Sequence, residues 1–259
     1  MSPIKVVVHG ALGKVGREVV KAVSLDPETR LVGAVDVKAS DNNLTIEGLN
    51  GVPLSTNLEQ VLATANPDVM VDFTLAGAAM PAIRLAAKKG VNMVIGTTGF
   101  TPEDIKEIEQ LAKTNRVGIV LASNFALGAV LMMHMAKIAA KYFDYAEIIE
   151  LHHHLKADAP SGTALSTARG MAKSRGKPFL VPKGQDRGGQ VEGITIHSVR
   201  LPGLMAHQEV LFGTAGQTLS IRHDTINREC YMPGVMLAVK EVIKRKELIQ
   251  GLDILLELK

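Results

Sequence analysis

The first half of the chain alternates between short apolar runs and segments in which apolar residues recur at helical spacing. Thr101, Pro102 and Asp104 have the types and spacing of a helix N-cap, first helical position and capping box. The alternation of apolar runs with helical segments predicts a parallel sheet with helices on both faces. Residues 36–57 are polar and contain glycine, so they predict a surface excursion. The runs, rich in Val, Ile and Leu, predict buried strands at residues 4–8, 31–35, 69–73, 91–95 and 117–121.

The pattern changes after residue 125. One long helix is predicted over residues 127–142, and we interpret its residues Met132, Met133 and Met135 as adaptable core. Later strands with short glycine-containing connections favour a mostly antiparallel or mixed sheet. The chain is therefore expected to combine an α/β domain with an α+β domain. The other predicted elements are strands at 145–151, 194–201, 208–212 and 217–222, a helix at about 163–174, a loop at 177–193 and a closing helix from Pro233.

A glycine turn follows the first strand and precedes a helical pattern, which is where a dinucleotide pyrophosphate binds in α/β folds. The spacing is G-x-x-G-x-x-G, and not the commoner G-x-G-x-x-G. Asp36 ends the second strand and can accept hydrogen bonds from ribose hydroxyls, whereas Lys14 and Lys38 can balance a 2′-phosphate. Both NADH and NADPH are therefore candidate cofactors. The alternative is that the glycines only make a tight turn and Asp36 caps the next loop. The turn comprises Gly10, Ala11, Leu12, Gly13, Lys14, Val15 and Gly16.

Three consecutive histidines lie in the segment E-L-H-H-H-L-K-A-D-A-P-S-G-T-A, residues 150–164. A metal site is disfavoured because neighbouring residues of a strand point to opposite faces and no cysteine is near. A serine nucleophile at Ser161 is disfavoured because G-x-S-x-G is absent, and Ser161 better suits the N-cap or the first position of the following helix. The third interpretation is an anionic-substrate site. Histidine can exchange a proton near neutral pH, Lys156 adds a cation, and the amides of Gly162 and Thr163 can bind a carboxylate.

Composition excludes several classes of protein. Lys and Arg number 29 and Asp and Glu number 26, so the net charge of +3 is too small to indicate a nucleic-acid binder. Six Phe, three Tyr and no Trp make single-strand base stacking improbable. The one cysteine, Cys230, excludes an intrachain disulfide and a cysteine-cluster metal site. No apolar run is long enough for a membrane span or a secretory core, so we expect a cytoplasmic protein without membrane contact.

The histidine segment closely resembles the signature of the 4-hydroxy-tetrahydrodipicolinate reductase family, formerly called dihydrodipicolinate reductases, of the lysine pathway. The resemblance extends over the whole chain in the family's order. It includes V-H-G-A-L-G-K-V-G at the start, V-D-F-T at 71–74, V-I-G-T-T-G-F at 94–100, S-N-F at 123–125 and H-Q-E-V-L-F-G at 207–213.

The resemblance implies a Rossmann-like nucleotide domain at residues 1–126 and 236–259, and a substrate-binding and tetramerisation domain at 127–235. By that resemblance the chain's end packs back on the first domain. His152 matches the family's proton donor, Lys156 a second proton donor that also contacts substrate, and His154 falls at a variable position. The glycine turn and Asp36 match dinucleotide contacts. The residues matching nicotinamide-side contacts are Gly96, Thr97, Thr98, Ala122, Ser123, Asn124 and Phe125. Those matching substrate contacts are His153, Ser161, Gly162 and Thr163.

The implied reaction is NAD(P)H-dependent reduction of 4-hydroxy-tetrahydrodipicolinate, a small dicarboxylate, to tetrahydrodipicolinate in lysine and diaminopimelate biosynthesis. A homotetramer is implied by the resemblance alone. Some relatives carry a Glu-Arg pair where this chain has Asp36 and Val37, so the preference between NADH and NADPH stays open. Two other functions remain: another NAD(P)-dependent dehydrogenase of similar architecture, and a non-catalytic nucleotide sensor.

Overall fold

A computed structural model of the chain describes residues 2–40, 42–46, 49–184 and 187–258. Its contacts form two compact units, Met1–Phe125 with Tyr231–Lys259 and Ala126–Cys230. The strands are β1 (Ile4–His9), β2 (Thr29–Val35), β3 (Asn43–Ile46), β4 (Leu49–Ser55), β5 (Val69–Asp72), β6 (Asn92–Ile95), β7 (Ile119–Leu121), β8 (Tyr145–His152), β9 (Gly189–Val191), β10 (Ile194–Arg200), β11 (Ala206–Thr214), β12 (Gln217–Thr225) and β13 (Leu248–Gln250). The α-helices are α1 (Gly16–Leu25), α2 (Leu58–Ala65), α3 (Ala76–Lys88), α4 (Pro102–Asn115), α5 (Leu127–Ala139), α6 (Gly162–Arg175), α7 (Met232–Val242) and α8 (Leu252–Leu255), and a 3-10 helix spans Arg228–Tyr231.

The first unit is built on a sheet of strand order β13-β7-β6-β5-β1-β2-β4-β3. All neighbouring pairs are parallel except β3 with β4. From the central β1 the chain continues to β2 on one side and later to β5 on the other. The carboxyl ends of β1 and β5 therefore border a topological switch point, where open α/β sheets bind ligands. The predicted Rossmann-like parallel sheet is confirmed.

The core of this unit explains why its strands are so apolar. Val6, Val7 and Val8 have no exposed surface, because helices cover the sheet. Helix α3 packs against both α2 and α4, and α1 packs against α7. The predicted α4 start is also confirmed: Thr101 accepts from the Asp104 amide while the Asp104 carboxylate accepts from the Thr101 amide.

Several local predictions were wrong. The excursion at 36–57 contains β3 and β4, and β4 extends the main sheet beside β2; residues 41, 47 and 48 lie outside the described residues. The loop at 177–193 contains β9, which pairs antiparallel with β10. Helix α5 ends at Ala139, three residues before the predicted end. Strands β3, β4 and β9 lie at or next to a sheet edge, where a strand needs no continuous apolar run, so their sequences resembled loops.

The closing segment contributes to the first unit. Strand β13 pairs in parallel with β7, and α7 contacts β5, β6 and β7. The compact units change at 125/126 and 230/231, whereas the predicted domains change at 126/127 and 235/236. The functional division between domains stays a prediction.

The second unit is a mixed sheet of strand order β12-β11-β8-β10-β9, with α5 and α6 supplying helices to its core. Strand β8 lies antiparallel to β11 but parallel to β10, so the sheet is not purely antiparallel. Met132 is buried in this core as expected, but Met135 is 46% exposed. Along the described chain, none of the helices has the length and apolar character needed to cross a membrane.

Candidate active site

The glycine turn after β1 is too tight for side chains at two of its three glycine positions. Gly10 has φ +82°, and a Cβ there would lie 2.8 Å from Thr74 Cγ2. A Cβ on Gly16 would lie 1.9 Å from the Gly10 carbonyl oxygen. Helix α1 begins at Gly16 without a side-chain cap, and the amides of Arg17 and Val19 already donate to the carbonyls of Gly13 and Val15. The positive end of the helix dipole still favours an anion at this turn. The turn therefore fits a pyrophosphate.

Asp36 joins the glycine turn to the end of β2. Its carboxylate accepts from the Leu12 amide and from the Lys38 amide, both at 2.9 Å, and the residue is 8% exposed. A carboxylate has about four lone-pair positions, so Asp36 retains capacity for ribose hydroxyls. Lys14, in the glycine turn, and Lys38, two positions after Asp36, are both exposed. Asp36 thus also caps the loop, as the alternative proposed, and the two roles are compatible.

A buried polar network that the sequence did not predict lies at the same edge of the sheet. Asp72 has no exposed surface, and its Oδ2 lies 2.5 Å from His9 Nδ1. Its Oδ1 accepts from the Thr97 hydroxyl at 2.6 Å and from the Thr74 hydroxyl and amide. The Thr97 hydroxyl in turn accepts from the Thr74 amide at 2.8 Å. Asp72 therefore connects the ends of β1, β5 and β6. The signal was an aspartate at the end of an otherwise apolar strand.

The two predicted nicotinamide-side segments follow the neighbouring strands β6 and β7. The Thr97 hydroxyl is committed to Asp72 and the residue is 3% exposed, so its backbone is what remains for a ligand. A Cβ on Gly96 would lie 2.1 Å from the Phe73 ring, which packs 5.6 Å from the Phe125 ring between centroids. Thr98 and Ser123 are exposed, Asn124 is half-buried, and Ala122 is buried. These segments share the sheet edge with the glycine turn.

In the second unit, Glu150 and His152 lie on one face near the end of β8. Glu150 has no exposed surface, and its Oε2 lies 2.5 Å from His152 Nδ1. Arg200 donates to both carboxylate oxygens, at 2.8 and 2.9 Å. Burial opposes ionisation of Glu150, but hydrogen bonds from His152 and Arg200 outweigh it and lower the pKa of Glu150 to about 2. Glu150 and Arg200 were not predicted from the sequence.

Lys156 lies in the turn that follows β8. Its amide donates to the His153 carbonyl, and its Nζ lies 2.6 and 2.8 Å from the two Asp158 carboxylate oxygens. That hydrogen bond lowers the pKa of Asp158. His153 and His154 are exposed. The turn therefore presents a cation, with its counter-charge at an exposed carboxylate, close in sequence to His152.

Helix α6 begins where the sequence predicted an anion site. Ser161 is its N-cap and accepts from the Ala164 amide at 3.2 Å. Because its hydroxyl caps the helix and the residue is 3% exposed, Ser161 is not placed as a nucleophile. A Cβ on Gly162 would meet nothing within 4 Å, so the space beside this residue is open. The amides of Gly162 and Thr163 lie in the first turn of α6, where an amide has no partner within the helix, so they are candidates for binding a carboxylate.

Two buried side chains fix the first turn of α6 from the core side. The Thr167 hydroxyl donates to the Thr163 carbonyl at 2.8 Å, and the Gln208 amide donates to the Thr167 hydroxyl at 2.8 Å. Neither residue was singled out from the sequence. Within the residues the structure describes, no group of three or more His, Cys, Asp or Glu side chains is arranged to hold a metal ion.

The two halves of the chain match the two family models of one enzyme family. Residues 4–125 match the family model described as "Dihydrodipicolinate reductase, N-terminus", and residues 128–256 match "Dihydrodipicolinate reductase, C-terminus". The chain is 56% identical over 263 residues to the 4-hydroxy-tetrahydrodipicolinate reductase of Dehalococcoides mccartyi, with 100% of both chains covered. It is 48% identical over 267 residues to that of Moorella thermoacetica, with 99% of each covered.

The chain is also similar to proteins whose structures have been solved. A dipicolinate-bound dihydrodipicolinate reductase from a Paenisporosarcina species is 42% identical, with a TM-score of 0.87 over 97% of this chain and 99% of that one. An amine dehydrogenase from Mycobacterium smegmatis is 17% identical, with a TM-score of 0.65 over 93% of each chain. The second similarity concerns the fold alone.

Proposed function

This chain belongs to the dihydrodipicolinate reductase family, and from that premise we propose that it reduces 4-hydroxy-tetrahydrodipicolinate to tetrahydrodipicolinate. It is an NAD(P)H-dependent oxidoreductase whose reaction fits lysine and diaminopimelate biosynthesis. One observation in the second unit carries the proposal. His152 is held by a buried carboxylate, Lys156 lies four residues later, and α6 begins beneath open space at Gly162. This combination suits a small carboxylate that must receive a proton.

The second unit's residues divide the work of substrate binding. The amides of Gly162 and Thr163 accept one substrate carboxylate, and His153 contributes a further contact. Ser161 fixes the direction of those amides through its cap. Lys156 supplies the positive charge that holds the dicarboxylate, and its pairing with the exposed Asp158 keeps the ammonium oriented until substrate arrives.

In the reaction, water leaves the 4-hydroxylated ring and leaves a carbon–carbon double bond conjugated to the ring imine. The cofactor supplies hydride to the unsaturated carbon when it is bound. His152 donates the balancing proton to the adjacent ring atom, and Lys156 is the second donor. Charge that develops on the ring is stabilised by Lys156 and the α6 amides, which are already oriented before substrate binds.

The first unit holds the dinucleotide. The glycine turn binds the pyrophosphate, Asp36 the adenosine ribose, and the segments 96–98 and 122–125 the nicotinamide side. Asp36 supports NADH, and the exposed Lys14 and Lys38 support NADPH, so we propose that both are used. Asp36→Ala should weaken NADH more than NADPH, because a 2′-phosphate gains when a nearby negative charge is removed. Equal losses in a fluorescence titration would contradict this.

We also propose a cytoplasmic homotetramer. Free Cys230 suits a reducing compartment. The second unit exposes apolar side chains on α5 and β12, among them Met135, Ile138 and Leu219, and clustered apolar exposure is typical of an interface.

A coupled assay tests the proposed activity. The synthase that condenses pyruvate with aspartate semialdehyde generates the substrate in the cuvette. We expect loss of nicotinamide absorbance with NADH and with NADPH only when all components are present. Cofactor binding without turnover would instead indicate a nucleotide sensor.

A further inference from the structure

We infer that Glu150 and Arg200 are positioning residues that fix the orientation and tautomer of His152, so that Nε2 is the atom that exchanges the proton. The inference rests on the proposed function for the role of His152. The geometry itself does not depend on it. Glu150 lies two residues before His152 on β8, so both side chains project from the same face of the strand. The 2.5 Å contact between Glu150 Oε2 and His152 Nδ1 is therefore built into the strand.

The chemistry of the partner determines which nitrogen carries the proton. Glu150 is buried and receives two hydrogen bonds from Arg200, at 2.8 and 2.9 Å, so the ion pair keeps it as a carboxylate. A carboxylate only accepts hydrogen bonds. Its close contact with Nδ1 therefore requires Nδ1–H, which leaves Nε2 for the substrate.

The same carboxylate also aligns the rest of the site. Glu150 Oε1 accepts from the Ser161 amide at 3.3 Å, and so contacts the N-cap of α6. Arg200 donates to the Asp158 carbonyl at 2.7 Å, and so holds the turn that carries Lys156. One buried ion pair thus connects the proton donor, the cation and the start of the anion-binding helix.

The proton balance is simple. The His152 imidazolium gives the Nε2 proton to the ring atom next to the one that receives hydride, and the two additions together reduce one double bond. His152 is left neutral, with Nδ1–H still donated to Glu150. The Nε2 lone pair then recovers a proton from water. Glu150 stays ionised throughout and transfers no proton.

The chain offers a matched control on the same strand. Glu147 also accepts from an arginine and contacts a histidine: Arg187 donates to it, and His197 Nε2 lies 2.7 Å from its Oε2. Glu147 and Glu150 are three positions apart on the strand, so the two carboxylates project from opposite faces of β8. Glu147→Gln removes the same type of interaction without touching His152.

The test compares Glu150→Gln with Glu147→Gln. Glutamine keeps one acceptor oxygen, which suits the Oε1 position because the Ser161 amide and Arg200 both donate there. Its NH2 group then lies against His152 Nδ1 and donates to it, which favours the Nε2–H tautomer. We expect kcat to fall about 100-fold in Glu150→Gln, with KM for NAD(P)H unchanged, and to change less than twofold in Glu147→Gln. If Glu150→Gln does not fold, Arg200→Lys, which keeps the charge but not the two-point contact, should lower kcat about tenfold.

A spectroscopic readout separates positioning from general damage. The ¹⁵N–¹H spectrum of neutral His152, identified by its absence in His152→Gln, should show the Nδ1–H tautomer in the wild type. Glu150→Gln should shift it toward Nε2–H. An unchanged tautomer, or kcat within threefold of the wild type, would overturn the inference. Because the spectrum needs no turnover, an inactive wild-type enzyme would defeat the proposed function without deciding this point.

Discussion

Thr97 belongs to the segment proposed to bind the nicotinamide side, but its side chain is used within the protein. Its hydroxyl donates to the buried Asp72 and accepts from the Thr74 amide, so it holds together two strand ends. The Thr74 methyl also occupies the space that a side chain at Gly10, in the glycine turn, would need. The Asp72 network therefore connects both ends of the proposed dinucleotide site.

Thr97→Val and Thr97→Ser form a matched pair that tests this network. Valine keeps the shape of threonine but leaves an Asp72 oxygen and the Thr74 amide each short of one partner, at a cost of about 1–3 kcal/mol. We expect Thr97→Val to weaken NAD(P)H binding about tenfold and Thr97→Ser less than threefold. Quenching of protein fluorescence or cofactor emission measures both. Equal affinity for the two variants would show that the hydroxyl has no part in cofactor binding.

At the residue scale, the sequence predicted roles that depend on a local motif. It did not predict roles that depend on a contact with a residue far away in the chain. Ser161 was predicted to be the N-cap or the first residue of a helix, and it is the N-cap. Glu150 and Arg200 are 50 positions apart, and nothing local to either residue indicates the other. Their contact exists because β8 and β10 pair in parallel, which places Arg200 opposite His152. Such pairs follow from tertiary register alone.

Among the elements, the helix N-termini are the most informative. Helix α4 begins with a reciprocal capping box, and α6 begins with a serine cap beneath open space. Both caps satisfy one backbone amide in the first turn. The difference is that the first amides of α6 are proposed to bind the substrate carboxylate.

Ser161→Ala and Thr101→Ala separate these roles. Each substitution removes one cap and should cost about 1 kcal/mol of stability. Only Ser161→Ala should raise KM for the substrate, by about tenfold, because the amides of Gly162 and Thr163 lose their fixed direction. Steady-state kinetics and urea unfolding of both variants provide the comparison. If both variants kept the wild-type KM, the α6 N-terminus would not be the carboxylate site.

Elements were predictable where one physical cause dominates. The central strands β1 and β5 have buried segments at residues 6–8 and 69–71, and every residue of those segments is apolar. Strands β3, β4 and β9 lie at or near sheet edges, and their polar or glycine-rich sequences resemble loops. The end of α5 was placed too late because the apolar residues after Ala139 continue the helical pattern without forming helix.

For the whole molecule, the exposed apolar side chains of the second unit are best explained by association between copies of the chain. Ile138 is 45% exposed, Tyr142 76% and Leu219 38%, although all three are apolar or aromatic. In the proposed tetramer, copies of the chain cover this surface of the second unit. The sequence predicted Met135 as core, and its exposure is explained if the core extends into a neighbouring subunit.

Leu219→Arg tests the proposed assembly. Burying an unpaired arginine in an interface is unfavourable, so the variant should lower the mass measured by light scattering from four chains of 27.7 kDa to dimers or monomers. Leu25→Arg is the control, because Leu25 is 73% exposed in the first unit. A tetrameric Leu219→Arg variant would place the interface elsewhere.

In the proposed reaction, this chain transfers hydride from NAD(P)H to a dicarboxylate and His152 supplies the balancing proton. The most direct measurement supplies cofactor deuterated at the transferred position of C4 to the coupled reaction and analyses the product by mass spectrometry. We predict one deuterium in each tetrahydrodipicolinate formed by the wild type. In His152→Gln the rate should fall at least 100-fold, while cofactor affinity is retained. Product without deuterium, or a His152→Gln variant as fast as the wild type, would contradict the account.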